Sequence, residues 1–150
     1  MPPLLVLEDE DAYRQHFVRT LCRAQIETHD GIRVYFSPAT FDHAFFESSD
    51  RRGADDVFSM SRAERMDWIA AALADRNALC LQGWDKHTQS YSAKRRITVV
   101  VQDFVIVLAL STKRNGQLKA NFVTCFKAEN SFVKIRQSPR WTREAYDNDV

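Results

Sequence analysis

Two apolar runs, RITVVV (residues 96–101) and FVIVLAL (residues 104–110), decide the predicted fold of this 150-residue chain. Their β-branched residues favour strands. The second run is apolar on both of its faces, as expected for a central strand that is covered on both sides. Together the two runs predict the middle of a β-sheet.

Two more runs extend this sheet, LCLQGW (residues 79–84) and KANFVTCF (residues 119–126). Before the last of these runs, Asn115-Gly116 is a strong signal for a tight hairpin turn. The four runs are therefore expected to form an antiparallel meander.

The first half of the chain predicts helices instead. Residues 8–28 carry acids in the first turn and apolar residues on one side. Residues 37–48 begin with Ser37 as a candidate N-cap, and residues 61–75 begin with a capping box. Residues 32–36 alternate like a strand. The expected fold class is α+β, with N-terminal helices followed by a four-stranded antiparallel sheet.

Length and composition are typical of one domain that spans residues 1–150. Hydrophobic residues make up 45% of the chain, and no apolar stretch reaches the roughly 18 residues that a membrane helix needs. The opening segment has no basic leader, and the three cysteines form no C-x-x-C pair. We therefore expect a cytoplasmic protein with no secretory signal and no membrane segment.

Charge is distributed unevenly, although the net charge is only +1. Residues 1–85 hold 9 Lys and Arg against 15 Asp and Glu, whereas residues 86–143 hold 12 against 2. Two explanations are open at this point. The basic half binds a polyanion such as nucleic acid, or the acidic half packs its charges beside the basic one.

His43 lies among three phenylalanines in TFDHAFFES (residues 40–48). Successive helical residues are about 100° apart, so His43 points away from the face that Phe41 and Phe45 share. Two interpretations follow. His43 is a solvent-facing histidine, or it stands at the lip of a cleft beside Phe46, which would then be a lid or a stacking platform. No histidine or cysteine has metal-ligand spacing, so neither a metal nor another cofactor is expected.

Basic residues at the start of a strand are candidates for binding phosphate. Lys94, Arg95 and Arg96 occur together, and strand parity places only one of the two arginines on a given face. The alternative is a solvated strand end. Thr124 shares a strand face with two phenylalanines, which is ordinary for a sheet and also suits a phosphate-binding or base-stacking surface.

Arg62 and Arg65 lie on one side of the helix predicted for residues 61–75. The stem of Arg65 is expected to run along packed surface, with its guanidinium at the rim of the fold. Both arginines are candidates for binding the phosphates of a nucleic acid. The alternative is that they form ion pairs with nearby acids.

The segment SFVKIRQSPRWTR (residues 131–143) interleaves basic and aromatic residues. Its candidates are Lys134, Arg136, Arg140 and Trp141. Cations alternating with rings are typical of a surface that binds single-stranded nucleic acid by charge and stacking.

These side chains share one possible chemistry. An imidazole can take a proton from a ribose 2′-hydroxyl, arginines can stabilise the pentavalent phosphorane, and a hydroxyl can orient a phosphate oxygen. Such a reaction requires no metal, because the nucleophile belongs to the substrate. The chain has no P-loop, G-x-S-x-G or G-x-G-x-x-G motif.

The order of several segments resembles the phage-associated members of the barnase–EndoU–colicin–RelE superfamily of metal-independent ribonucleases. The segments are FDHAFF, FSMSRAERMDWI, GWD....Y..KRRI, FVIVL, the Asn-Gly turn, FVTCF and KIRQSPRW. The resemblance implies a nuclease-like core over residues 32–141, with residues 1–30 as an N-terminal helical extension. It also implies that His43 matches the family's helix histidine, Arg95 or Arg96 its early-strand basic residue, and Thr124 its late-strand hydroxyl.

The sequence is compatible with three functions. The first is an RNA endonuclease of phage or prophage origin that cleaves through a 2′,3′-cyclic phosphate, with His43 as base and Arg65, Arg95 and Arg96 on the phosphate. The second is a non-catalytic module for nucleic-acid binding or phage morphogenesis. The third is an interaction domain whose basic half docks an acidic protein, such as an immunity protein.

Overall fold

The computed structural model of this chain describes residues 1–49, 55–129 and 132–149. The four strands of the predicted meander are present and antiparallel. They are β5 (Leu79–Asp85), β6 (Ser90–Val101), β7 (Phe104–Thr112) and β8 (Leu118–Lys127). Gly116 makes the predicted turn between β7 and β8, with a φ of +85° that glycine adopts without strain.

The sheet is larger than predicted, and it is mixed. Two short strands, β1 (Ile26–Glu27) and β2 (Arg33–Tyr35), bring the described sheet to six strands in the order β1-β2-β8-β7-β6-β5. Strand β2 pairs with β8 in parallel. The prediction of four antiparallel strands is therefore corrected to a mixed sheet within the α+β class. The strand expected at residues 32–36 joins this sheet at the free edge of β8.

The remaining elements are short. In chain order they are α1 (Glu10–Phe17), a π-helical turn (Val18–Cys22), a 3₁₀ turn (Pro38–Thr40), α2 (Phe41–Ala44), β3 (Phe46–Ser48), β4 (Asp55–Phe58), α3 (Met60–Ala63), α4 (Met66–Ala74), α5 (Phe132–Arg136) and α6 (Arg143–Asn148). Strands β3 and β4 pair as a separate two-stranded sheet. Within the described ranges, no helix is long and apolar enough to cross a membrane.

The first predicted helix is shorter than residues 8–28. It begins at Glu10, where the carboxylate of Asp9 caps it by accepting the Ala12 amide at 2.9 Å. The helical chain ends after the π turn at Cys22, because Ile26 pairs with Val34 in the sheet. Pairing with β2 thus replaces the last turn of the predicted helix.

The second predicted helix also ends early. Residues 37–48 form one 3₁₀ turn and one α-helical turn, and Phe46 then enters β3. The guanidinium of Arg62 donates to the carbonyls of Ala44 and Phe46 at 3.2 and 3.0 Å. Arg62 therefore satisfies carbonyl groups at the end of the helix that would otherwise need partners.

The third predicted helix is broken in two, and its cap lies elsewhere. The N-cap is Ser59, whose hydroxyl accepts the Arg62 amide at 3.4 Å, and not Ser61. Helix α3 ends at Ala63, and α4 runs from Met66 to Ala74.

Helices cover one face of the sheet, and the main core lies between these helices and that face. Phe17 of α1 packs on Phe41, Phe45 and Phe122, with ring centroids 5.4 to 6.1 Å apart. Cys125 of β8 faces this core, and its thiol lies 3.9 Å from the carbonyl oxygen of Ala44. Residues of the predicted N-terminal extension therefore belong to the central core.

Among the described residues, helix covers the other face of the sheet at one end only. Phe132 and Ile135 of α5 pack there against Leu81, Val100 and Val105. The rest of this face carries no described helix, and we call it the open face. Strand alternation determines which side chains lie on it.

Candidate nucleic-acid interface

A cavity of about 510 Å³ opens at the hairpin between β5 and β6. Its wall combines an aromatic ring, cations and a histidine, and we call it the hairpin pocket. The residues that matter chemically are Trp84, Asp85, Lys86, His87, Arg95 and Arg96. Thr98 of β6 and Val107 of β7 also line it, so the pocket opens onto the open face.

Both strand arginines reach the hairpin pocket, although parity predicts only one on each face. The register of β5 against β6 jumps, because Gln82 pairs with Ile97 whereas Gly83 pairs with Ser92. Residues 93–96 of β6 therefore have no partner in β5 and form a bulge. A bulge redirects side chains locally, and this one places Arg95 and Arg96 on one pocket.

The C-terminal segment holds this bulge in place. The indole nitrogen of Trp141 donates to the Ala93 carbonyl at 2.8 Å. The carboxylate of Asp149 accepts the Ala93 amide at 2.7 Å and the Ser92 hydroxyl at 3.0 Å. Unpaired backbone groups of the bulge are thus satisfied by side chains from 48 and 56 residues further along the chain.

Glycine at position 83 lets Arg96 approach the hairpin. A Cβ atom added at Gly83 would lie 2.8 Å from the Cβ of Arg96. That distance is well inside van der Waals contact for two carbon atoms. The absence of a side chain at Gly83 is therefore a condition for the position of Arg96.

The carboxylate of Asp85 is the acidic group in the hairpin pocket. It lies 3.6 Å from Nε of Arg95 and accepts the backbone amide of His87 at 2.9 Å. The hydrogen bond from His87 and the charge of Arg95 hold the pKa of Asp85 below its ordinary value. The pocket thus sets three cations, Lys86, Arg95 and Arg96, against one carboxylate.

Two aromatic side chains stand exposed on the same hairpin. Trp84 is 54% exposed and Tyr91 37% exposed, and their rings meet edge to face with centroids 5.1 Å apart. On the side toward α5, Lys134 and Ile135 join them around a second groove of about 500 Å³, which we call the aromatic groove. Trp84 lines both cavities, so one exposed aromatic residue belongs to a basic pocket and to an apolar groove.

Thr124 lies on the open face, but two strands away from β6. It pairs with Val107, which pairs with Thr98 at the edge of the hairpin pocket. Residues directly opposite one another in adjacent strands share a face. Thr124 is therefore on the same surface as Arg96 without lining the pocket.

The helical layer holds four of the predicted site residues on the opposite face of the sheet. His43 is exposed on α2, as the helical geometry predicts, while Phe41, Ala44 and Phe45 are buried. Helix α2 contacts Cys125, whose neighbour Thr124 points to the other side. The sheet thus separates His43 from Thr124 and from the hairpin pocket.

The other three members of this group are engaged in packing. Phe46 is half-buried and its ring meets that of Phe58 at 5.6 Å. The guanidinium of Arg65 donates to the Ser61 carbonyl at 2.7 Å and to Glu64 at 2.8 Å, and it lies over the ring of Trp68. Arg62 donates to the carbonyls at the end of α2. Internal roles therefore account for both arginines.

The remaining predicted basic residues are dispersed. Lys134 borders the aromatic groove, whereas Lys94 lies 4.0 Å from the ring of Tyr146 near α6. Arg136 lies over the ring of its own helix residue Phe132. Exposed Arg140 forms a β-bridge with Leu81.

Trp141 is buried, with 7% of its surface exposed. Its indole supports the bulge and its ring packs in the main core. It therefore offers no face on which a nucleobase could stack.

Metal ligation has no support among residues 1–49, 55–129 and 132–149. No group of three or more His, Cys, Asp or Glu side chains there is arranged to hold a metal ion.

Sequence reasoning missed the aromatic pair and Lys86. The signal was GWDKHTQSY, in which Trp84 and Tyr91 flank a polar turn. Two aromatic residues at mirrored positions of a hairpin become cross-strand partners, as these do. His87 lies in the same polar turn.

No family model, no curated protein and no solved structure matches this chain.

Proposed function

We propose that this protein binds single-stranded nucleic acid, and RNA in particular, at the β5–β6 hairpin. The hairpin pocket supplies the charges for a phosphate group. The aromatic groove supplies a ring on which a base can stack. The proposal depends on one observation above all, namely that Trp84 lines both of them.

This arrangement favours a single strand over a duplex. Phosphates are attracted by cations without regard to sequence, but an exposed ring can stack only on a base that is itself unpaired. Trp84 and Tyr91 lie beside three cations. A nucleotide with its phosphate near Arg96 would have its base within reach of this aromatic pair.

Fluorescence anisotropy with a labelled oligouridylate tests the proposal. Stacking on an aromatic side chain is worth about 1–3 kcal/mol for each base, so Trp84→Ala is expected to weaken binding by roughly fivefold to a hundredfold. Arg23→Ala is the matched charge control for Arg96→Ala, because Arg23 is exposed, follows the π-helical turn and lines neither the hairpin pocket nor the aromatic groove. Equal affinity of wild type, Trp84→Ala and Arg96→Ala would refute the proposal.

A second candidate function is cleavage of the bound RNA through its 2′-hydroxyl. His87 favours it, because this histidine lines the same pocket as Arg95 and Arg96. A general base must come within about 3 Å of the proton it removes. His87 can meet this requirement for a substrate in the hairpin pocket, whereas His43 stands behind the sheet.

Incubation of RNA with the protein in excess EDTA tests this second candidate. Cleavage is expected to be lost in His87→Ala and retained in His43→Ala, and a substrate with 2′-deoxyribose at the cleaved position should resist. Loss of cleavage in His43→Ala alone would instead restore His43 as the base. Binding without cleavage would leave the nucleic-acid-binding module. Membership of the ribonuclease superfamily, and a phage or prophage origin, stay predictions.

A further inference from the structure

A second group of cations and an aromatic ring lies at the far side of the open face. Tyr35 of β2 is 39% exposed. The guanidinium carbon of Arg33 lies 5.0 Å from its ring centroid, and the ammonium nitrogen of Lys119 lies 5.7 Å away. We call these three residues the tyrosine patch. Both cations are near the outer limit of about 6 Å for a cation–π contact.

A direct row of residues connects this patch to the hairpin pocket. Arg96 of β6 pairs with Ala109 of β7, Ala109 with Asn121 of β8, and Asn121 with Tyr35 of β2. The four residues lie on one face, because directly opposed residues point to the same side of a sheet. Strands are about 4.8 Å apart, so the row is about 14 Å long.

The side chains in the middle of this row are short, and cations lie at both of its ends. Between Arg96 and Tyr35 it consists of Ala109 and Asn121, both small, and Ser111 lies beside them in the row that leads to Lys119. Arg96, Asn121 and Ser111 are exposed. Helix α5 packs against Val100 and Val105, which lie in other rows of this face.

We infer that the bound strand continues from the hairpin pocket across the open face to the tyrosine patch. The inference rests on the function proposed above and deepens it, because it gives the binding site a direction and a length. One phosphate lies at Arg96, the chain crosses Ala109 and Asn121, and a further phosphate lies between Arg33 and Lys119. A base then contacts the exposed part of Tyr35.

Charge selects the occupant of this surface. The pocket and the patch together hold five cations. Against them stand the carboxylates of Asp85 in the pocket and of Glu27 and Asp147, which line a cavity together with Arg33. Rings at both ends, Trp84 and Tyr35, add a feature that suits bases better than acidic side chains. Single-stranded nucleic acid satisfies both demands along a path of this length.

The experiment compares oligouridylates of about three and about ten nucleotides, of which the longer falls within the site sizes of proteins that bind single strands. In wild type the longer oligonucleotide should bind at least about tenfold more tightly. Tyr35→Ala combined with Lys119→Ala should weaken the longer one at least about fivefold and change the shorter one less than about twofold.

Controls separate an effect on binding from an effect on folding. Lys127→Ala removes the same charge from the other end of β8, where Lys127 pairs with Asp103 at 3.9 Å, and it should leave both affinities unchanged. Tyr35→Phe keeps the ring and should bind as wild type does.

The outcomes distinguish this inference from the function it rests on. If wild type binds both oligonucleotides and the double variant binds them equally well, the path across the sheet is refuted and the hairpin site stands. If wild type binds neither, the proposed function fails and the path falls with it. Displacement of RNA by polyglutamate at equal charge concentration would refute the path in favour of an acidic protein partner.

Discussion

The negative charge of Asp85 repels the phosphate of the proposed ligand, and the same carboxylate lies beside Arg95, a cation that attracts it. Its carboxylate accepts the His87 amide and lies beside Arg95. Because its pKa is held below its ordinary value of 3.8, the group stays ionised through neutral pH. One negative charge therefore remains in a pocket that attracts phosphate.

Replacing Asp85 with asparagine should strengthen RNA binding. The amide oxygen can still accept the His87 amide, but the repulsion of phosphate is lost and Arg95 loses its competing partner. We expect an affinity about threefold to tenfold higher at low salt, shrinking as salt screens the charges. The measurement is anisotropy at two salt concentrations. Weaker binding by Asp85→Asn would contradict this prediction and show that the charge of Asp85 is needed to hold Arg95 in place.

Cys125 tests the burial of β8 against the helices. It is fully buried, and burial raises the pKa of its thiol from 9.0 to about 12. A thiol with a raised pKa is protonated at neutral pH, and the thiolate is the reactive form. Cys125 should therefore resist iodoacetamide in the folded protein up to about pH 9 and react in urea. Rapid labelling of Cys125 itself at pH 8 in the folded state would contradict the packing of α2 on β8.

At the scale of elements, the β6 bulge is the feature on which the pocket depends. Gly83→Ala should destabilise the hairpin, because the new Cβ would meet the Cβ of Arg96 at 2.8 Å. A clash of this kind typically costs about 1–3 kcal/mol. Arg96→Gly removes the opposing Cβ, so in that background Gly83→Ala should cost much less. Urea denaturation of the four proteins of this cycle measures the coupling, and strictly additive costs would contradict the contact.

The link between the C-terminal segment and the bulge should depend on pH. Hydrogen bonds from Ala93 and Ser92 lower the pKa of Asp149 from its ordinary 3.8. A lowered pKa in the folded state means that the carboxylate stabilises the fold above that ordinary value, and that this contribution is lost as pH falls through the lower folded pKa.

Asp149→Asn provides the comparison for this link, since asparagine resembles the protonated acid. The free energy of unfolding should be lower in Asp149→Asn than in wild type at pH 6. The difference should shrink as pH falls below 3.8 and vanish below the lowered pKa of the folded state. A difference that is constant down to pH 2 would show that the charge of Asp149 plays no part.

The elements that were predicted correctly are those with strong local signals. The runs around Val99 and Ile106 became strands because their apolar residues fit both faces of a sheet. The helix ends were placed wrongly because they depend on distant partners. Val34 recruits Ile26 into the sheet, and Arg62 satisfies the end of α2. No local pattern contains these contacts.

In the candidate site, too, the features set by local sequence were predicted correctly and those set by distant contacts were not. Helical periodicity correctly placed His43 on an exposed face, but periodicity says nothing about which face of the sheet its helix covers. Parity separated Arg95 from Arg96, whereas a bulge held by Trp141 brings them together. A bulge fixed from 48 residues away is not encoded in the strand itself.

For the whole molecule, the sheet divides the chain into two chemically different sides. The helical side buries phenylalanines and pairs its charges internally, as Arg14 does with Asp42 at 2.6 Å. The open face carries the hairpin pocket and the tyrosine patch. The excess of basic residues in 86–143 is therefore only partly placed on one surface, since Arg143 belongs to α6 and Lys94 packs on Tyr146 of that helix.

The salt dependence of binding tests the central proposal most directly. For a single strand the logarithm of the binding constant falls with the logarithm of salt concentration by about 0.7 for each neutralised phosphate. The three cations of the hairpin pocket predict a slope of about −2 for a short oligouridylate. Arg96→Ala should make it shallower by about 0.7, while Arg23→Ala should leave it unchanged. A slope that Arg96→Ala does not alter would contradict binding of nucleic acid at this hairpin.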